Sequence, residues 1–239
     1  YRCGKMEGEI QENLDENEVM RRGFWNPYEE TKFFAGSRLQ YWSRIFGIPI
    51  TEFCPTIIIG DSRNSKNTSD SGYYRYIQGL KQVRDMAVEE MGNSRMLEIP
   101  FRIVAEPVPV NMVCVDYATD LIVELSSRPE SRHKAFHIAN PNPPDAFWWI
   151  EKSAEAIGLK GLRLVNKKQF LEEKSHNGFI RKAELTFYRL NKAYLPYTNR
   201  YLIFRMDNVI EVLGCVPDHP EVDEELVRKL LERYKSKAY

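Results

Sequence analysis

Apolar and polar positions alternate along this chain in blocks, and the period of each block predicts an element. Positions 28, 32, 35 and 39 recur at helical spacing, so residues 27–46 read as a helix. Asn26 suits its N-cap, Pro27 its first helical position, and Glu29 the positive end of its dipole and a variant capping box. "IPITEFCPTIIIG" (48–60) is rich in β-branched residues and predicts a buried strand with a proline inside it or at its end. "DSRNSKNTSDSG" (61–72) predicts a long polar loop, a class that often carries function. Residues 73–91 predict a helix, and 95–115, with Pro100, Pro107 and Pro109, short strands in irregular backbone. A helix over 115–127 with Asp116 as N-cap follows, then a short strand over 134–141 ended by Pro141. Residues 143–161 predict a helix stopped near Gly158. Stretches 167–194 and 221–235 read as helical, with the aromatic-rich "YLPYTNRYLIF" between them, whereas the polar, Gly-punctuated residues 1–23 read as loop.

Helix, strand, helix, strand over 27–46, 48–60, 115–127 and 134–141 is the alternation of a parallel α/β sheet. Two strands leave both edges of such a sheet uncovered, so the pattern predicts further strands outside this chain. The start at Tyr1, with neither initiator Met nor signal peptide, predicts a piece of a larger protein.

Composition narrows the function classes. With 239 residues, 43% of them apolar, the chain can bury a sizeable core. Lys plus Arg equals Asp plus Glu at 34 each, which argues against nucleic acid as a partner. No apolar run approaches the roughly 20 residues that cross a bilayer, although peripheral membrane contact stays open. Cys3, Cys54, Cys114 and Cys215 form no CxxC pair and read as reduced thiols of a cytoplasmic protein. His133 and His137 are the one close histidine pair, and no carboxylate or thiol at ligand spacing supports a metal site. The 13 glycines form neither GxGxxG nor a Walker A loop.

Tyr28 and Lys32 are the candidate chemistry. Residues i and i+4 share a helix face, with Cβ atoms about 5–6 Å apart. An ammonium beside a phenol favours phenolate, and readiness near neutral pH requires a fall of roughly 3 units from about 10, or about 4 kcal/mol. A phenol so tuned can protonate a carbonyl oxygen while hydride reaches its carbon. The spacing alone is weak evidence and favours a surface Tyr with a snorkelling Lys.

Several blocks in order resemble the extended short-chain dehydrogenase/reductase superfamily, and within it the thioester reductase and fatty acyl-CoA reductase (male-sterility-like) branch. "YRCGKMEGEIQE" resembles the segment after that family's Ser/Thr, and "GFWNPYEETKFFA" its catalytic helix, with Tyr28 and Lys32 at the motif positions. "IPITEFCPTIIIGDS" resembles the strand and turn beside the nicotinamide, "VPVNMVCVDYA" and "FHIANP" the return to the sheet, and "YLPY" with "MDN" the C-terminal part. The resemblance implies the C-terminal portion of a Rossmann-like parallel sheet domain plus a smaller, mainly helical substrate domain. The implied division is 1–60 remainder of the dinucleotide-binding domain, 61–110 substrate-domain insertion, 111–141 return to the sheet and 142–239 C-terminal substrate domain. It implies an oxidoreductase that uses NADP or NAD to reduce an acyl thioester, on coenzyme A or a carrier protein, to aldehyde or alcohol in lipid metabolism. Tyr28 is then the general acid, and Lys32 lowers its pKa and binds the nicotinamide ribose. Pro55, Thr56, Ile57 and Ile58 line the nicotinamide carboxamide, while Ser62, Tyr73 and Tyr74 border the acyl substrate.

The chain departs from the family pattern at Cys54, where Arg is usual, and in having no glycine-rich phosphate loop or catalytic Ser/Thr. An isolated chain is therefore expected to bind cofactor weakly and to be inactive. Cys54 reads as a small core residue rather than a nucleophile. Pro55 also reads as a simple strand terminator, Trp148 and Trp149 as core or lid residues, and Asp207 and Asn208 as a turn in the substrate domain. A sugar-nucleotide epimerase or dehydratase would use the same pair, and a non-catalytic fragment offering a substrate-binding surface would use neither.

Overall fold

The structure is a computed structural model and describes residues 2–66, 69–70, 72–92, 94–173 and 177–234. In chain order it runs β1 (Gly8–Ile10), α1 (Glu16–Arg22), α2 (Pro27–Phe46), β2 (Glu52–Pro55), β3 (Ile57–Ile59) and α3 (Tyr73–Met91). Next come β4 (Leu97–Glu98), β5 (Arg102–Val104), β6 (Met112–Cys114), α4 (Val115–Ser126), β7 (Ala135–Ile138) and α5 (Ala146–Ala156). The last are β8 (Leu159–Lys160), β9 (Arg163–Val165), α6 (Lys167–Glu172), α7 (Gly178–Asn191), α8 (Leu195–Thr198), β10 (Leu202–Phe204), α9 (Asp207–Leu213) and α10 (Glu224–Leu230). Every strand pairs in parallel, in five two-stranded ladders. The architecture is α/β. No described helix is long and apolar enough to cross a membrane.

The chain divides into two compact units. The first gathers residues 1–59, 111–143 and 201–220, and holds the ladders β1–β10, β2–β7 and β3–β6. In β2–β7, Phe53 faces Phe136, Cys54 faces His137 and Pro55 faces Ile138. Its buried side chains include Ile59, Val113, Leu125, Phe136 and Ile138. Segment 201–220, expected in the substrate domain, belongs to this unit. Asp207 and Asn208 accordingly open α9 rather than shaping a turn.

The second unit gathers 60–110, 144–200 and 221–239, and holds the ladders β4–β8 and β5–β9 among its helices. α3 buries Tyr73, Tyr76, Ile77, Leu80, Val83 and Ala87 at helical spacing. Gly79 lets α7 come close, since a Cβ there would stand 2.3 Å from Asn191 Nδ2. Arg102 on β5 grips Glu184 on α7 through Nε–Oε1 and Nη2–Oε2 bonds of 2.8 Å each. Burial pushes the Glu184 carboxyl up, but the Arg102 hydrogen bonds and charge outweigh it and hold it below its ordinary value.

Several expectations are corrected. Residues 1–23 hold a strand and a helix. Asp15 caps α1 by accepting from the amides of Asn17 and Glu18, and β1 pairs with β10, almost two hundred positions away. Residues 48–60 form two strands, because the chain changes partner at Thr56 from β7 to β6. Cys114, not Asp116, is the N-cap of α4, and Asp116 sits in its first turn. The helix expected in 143–161 does stop near Gly158, as α5 at Ala156, but residues 159–160 beyond it enter a ladder as β8. Within 167–194, where the helical reading allowed more than one stretch, α6 and α7 are two helices. Parts of four expected elements lie outside the described residues: Tyr1 of the 1–23 loop, positions 67, 68 and 71 of the polar loop, 174–176 of the helical stretch 167–194, and Lys235 of 221–235.

Candidate active site

Tyr28 is held by the start of α2. The Asn26 side chain accepts the Glu29 amide at 2.9 Å, and the Glu29 carboxylate reaches back to the amide of Trp25 at 3.3 Å, one residue ahead of the cap. Glu29, Phe33, Gly36 and Ser43 form the buried side of α2, so its opposite side faces outward. A Cβ at Gly36 would come within 2.7 Å of Arg2 and 2.8 Å of Glu52, which are paired with each other at 3.1 Å. Tyr28, which is 60% exposed, and Lys32, also exposed, stand at the border of the buried side, and the Lys32 ammonium lies over the Tyr28 ring, 5.6 Å from its centre. The pair therefore converges in the open, and a ligand can reach both groups.

Pro55, Thr56, Ile57 and Ile58 occupy the carboxyl end of β2 and the start of β3 in the same unit. Carboxyl ends of parallel strands are where α/β sheets meet ligands. Pro55 is half-buried and Ile58 is exposed, while Thr56 is buried and fully engaged. Its amide donates to Ile138 O at 3.0 Å and its hydroxyl to Asn111 Oδ1 at 2.8 Å. Asn111 and Asn140 complete this network, and sequence reading passed over both. The asparagines in "PVNMV" and "IANP", next to strand ends, were the available signal.

Ser62, Tyr73 and Tyr74 belong to the other unit. Tyr73 and Tyr74 are core residues there. The Tyr73 hydroxyl bonds Ser153 Oγ at 2.7 Å, and the Tyr74 hydroxyl accepts the amide of Gly60 at 2.9 Å, where the polar loop begins. Ser62 lies half-buried in that loop. Trp149 is buried against Tyr73, and Trp148 packs edge-on to it.

Electrostatics separates chemistry from framework. Cys54 is pushed up to about 12 by burial and by Glu52, which makes it a poor nucleophile. Burial drives His137 down to about 4, and its Nδ1 bonds Arg205 O at 2.7 Å, so it stands neutral in the core of the first unit. Glu12, raised by burial, accepts the amides of His137 and Asn208. Among the described residues no group of three or more His, Cys, Asp or Glu is placed to hold a metal ion.

No protein-family model and no curated protein matches the chain. Solved structures do. The terminal R domain from the myxalamid PKS-NRPS biosynthetic pathway superposes with TM-score 0.62 at 22% identity, over 95% of this chain and 53% of that one. A thiolation-reductase di-domain from an archaeal non-ribosomal peptide synthetase gives 0.56 at 18% identity, over 95% and 44%. RMD from Pseudomonas aeruginosa, solved with NADPH, gives 0.50 at 15% identity, over 90% and 57%. The chain spans about half the length of each of these structures. Its parallel α/β ladders thus have the fold of the corresponding part of these reductase domains and of RMD.

Proposed function

We propose that this chain carries the proton-donating part of an NAD(P)H-dependent reductase that acts on thioester-linked acyl groups. The observation that carries the reading is the exposed Tyr28–Lys32 pair at the start of α2, in a unit folded like part of a reductase domain. The cofactor, when bound, supplies hydride to the thioester carbonyl carbon. Tyr28 gives its phenolic proton to the carbonyl oxygen. Lys32 favours the phenolate left behind and donates to the ribose hydroxyls. Pro55 through Ile58 bound the carboxamide end. Tyr28 and Lys32 suit the nicotinamide-ribose half of the cofactor, which needs one cation and one phenol, beside a strand end whose Thr56 and Ile57 amides are already engaged by Ile138 O and Asn111 O. The chain has no glycine-rich loop for the diphosphate, so that end needs residues outside it.

Reduction of the thioester expels the thiol and yields an aldehyde, and a second round gives the alcohol. A carrier-bound acyl group is favoured by the likeness to a thiolation-reductase di-domain, with acyl-CoA as the soluble equivalent. Ser62 borders this group, and Tyr74 acts from behind by holding Gly60, where the loop begins, while Tyr73, bonded to Ser153, packs beside Tyr74.

The test is NADPH oxidation by the whole protein that carries this chain, with a panel of acyl thioesters beside UDP-sugars. Tyr28→Phe should lower thioester turnover by about 10²–10⁴-fold with cofactor affinity largely kept. Retention of most of the turnover removes Tyr28 as the acid. Turnover of UDP-sugars alone transfers the pair to epimerase or dehydratase chemistry.

A further inference from the structure

At Thr56 the chain leaves one ladder for another, and a single side chain fills the gap. The Thr56 amide still donates to Ile138 O of β7 at 3.0 Å, but the next amide, Ile57, donates to Asn111 O at 3.3 Å, just ahead of β6. Between those bonds lies the Asn111 carboxamide. Its Oδ1 accepts the Asn140 amide at 2.9 Å and the Thr56 hydroxyl at 2.8 Å, and its Nδ2 donates to Asn140 O at 2.8 Å. A side-chain amide thus stands where a backbone peptide would continue the ladder. It holds both polar groups of residue 140. The Asn140 side chain in turn accepts the amide of Asn142 at 2.9 Å. Asn111 and Asn140 are each 4% exposed and Thr56 7%, so these bonds compete little with water.

Packing alone does not call for this arrangement. Val or Ile at 111 would fill the same space but would leave the buried Asn140 amide and carbonyl without these partners, so the carboxamide serves hydrogen bonding and not volume. A satisfied buried network fixes one geometry where an apolar contact tolerates several. The geometry fixed here is that of the backbone on either side of Thr56.

We propose that Asn111 is a positioning residue that sets the nicotinamide-facing backbone of Pro55–Ile58 through Thr56 and Asn140; this rests on the reductase reading above. Loss of the clamp leaves the cofactor bound by its remaining contacts but lets its reactive end shift. The damage therefore falls on turnover rather than on affinity.

Asn111→Asp keeps the shape and removes the Nδ2 donor to Asn140. In the whole protein it should lower kcat about 10- to 100-fold, with KM for NADPH and thioester held within about threefold. A readout independent of turnover is saturation-transfer NMR with NADP+. Nicotinamide protons should lose saturation relative to adenine protons in the variant. If Asn111→Asp fails to fold, Thr56→Val, which deletes one bond of the network, should show the same split more mildly. Unchanged kcat and unchanged nicotinamide saturation with an active wild type overturn the positioning role and leave the reductase standing. A wild type without thioester reduction overturns the reductase; if it also shows no nicotinamide saturation by NADP+, the positioning role falls with it.

Discussion

Glu184→Gln tests how the second unit is held together. The substitution keeps the side-chain shape and removes the charge that faces Arg102. In the native pair Arg102 is 6% exposed and Glu184 1%, at 2.8 Å. The same guanidinium donates to Glu173 O at 2.7 Å, so it cannot swing to solvent without breaking three bonds, and the Arg102 amide also donates to Glu184 Oε1 at 3.2 Å. A buried guanidinium without its counter-charge costs about 3–5 kcal/mol. With a urea m-value of about 2 kcal/mol/M, the unfolding midpoint of this unit should drop by about 1.5–2.5 M. The pH dependence gives a second check. The folded carboxyl titrates below its ordinary 4.5, so its contribution is complete above that value and fades as the pH falls through the folded one. The difference between wild type and variant should therefore be widest near neutrality and close on acidification below 4.5. Replacing both partners with Met and Leu should recover most of the loss, because the one charge left without Glu184, Arg181, is part exposed and can be hydrated. A loss under about 1 kcal/mol at pH 7, or a difference that persists undiminished in acid, would refute the argument.

Three further outcomes follow from the first unit. His137, held at about 4 by burial, should titrate near that value by NMR. Unfolding frees it to bind a proton below its ordinary 6.5, so stability should fall between pH 6.5 and 4 by up to about 1.4 kcal/mol per pH unit, and His137→Phe should flatten that slope. Thiol reagents at neutral pH should modify exposed Cys215 first and Cys54 slowly, which mass mapping of the labelled sites decides; prompt modification of Cys54 would contradict its raised pKa. Gly36→Val should destabilise the first unit by about 1–3 kcal/mol, since its side chain runs into the Arg2–Glu52 pair, and a thermal melt unchanged from wild type would show that the pair moves aside.

Local grammar was read well wherever the signal was local. Residues 27–46 and 73–91 form the helices that spacing and caps predict, and Asn26 caps the first as expected. Short strands within 95–115 and the strand at 135–138 also stand where the β-branched and proline pattern placed them. Misreadings occurred where the deciding partner is distant. β1 exists because β10 lies beside it, and three residues of "GEI" carry no strand signal of their own. α1 buries only Val19, so its hydrophobic period was too faint to register, although the Asp15 cap and its Gly23 end were readable. The change of partner at Thr56 is invisible in the continuous run "EFCPTIII", because local composition does not record which strand lies beside each residue.

The candidate site divides along the same line. Sequence alone determined that Tyr28 and Lys32 share a helix face, because four residues make just over one α-helical turn, and no tertiary contact is needed for that. Which face of α2 is outward was decided by tertiary structure, where Phe33, Gly36 and the Arg2–Glu52 pair take the other side. Tertiary structure likewise put Tyr73 and Tyr74 into a core and brought Asn111 and Asn140, twenty-nine positions apart, onto one hydroxyl and one peptide. Periodicity records only what neighbours in the chain do to one another; burial and long-range hydrogen bonds depend on which surfaces meet, and that is settled when the ladders form.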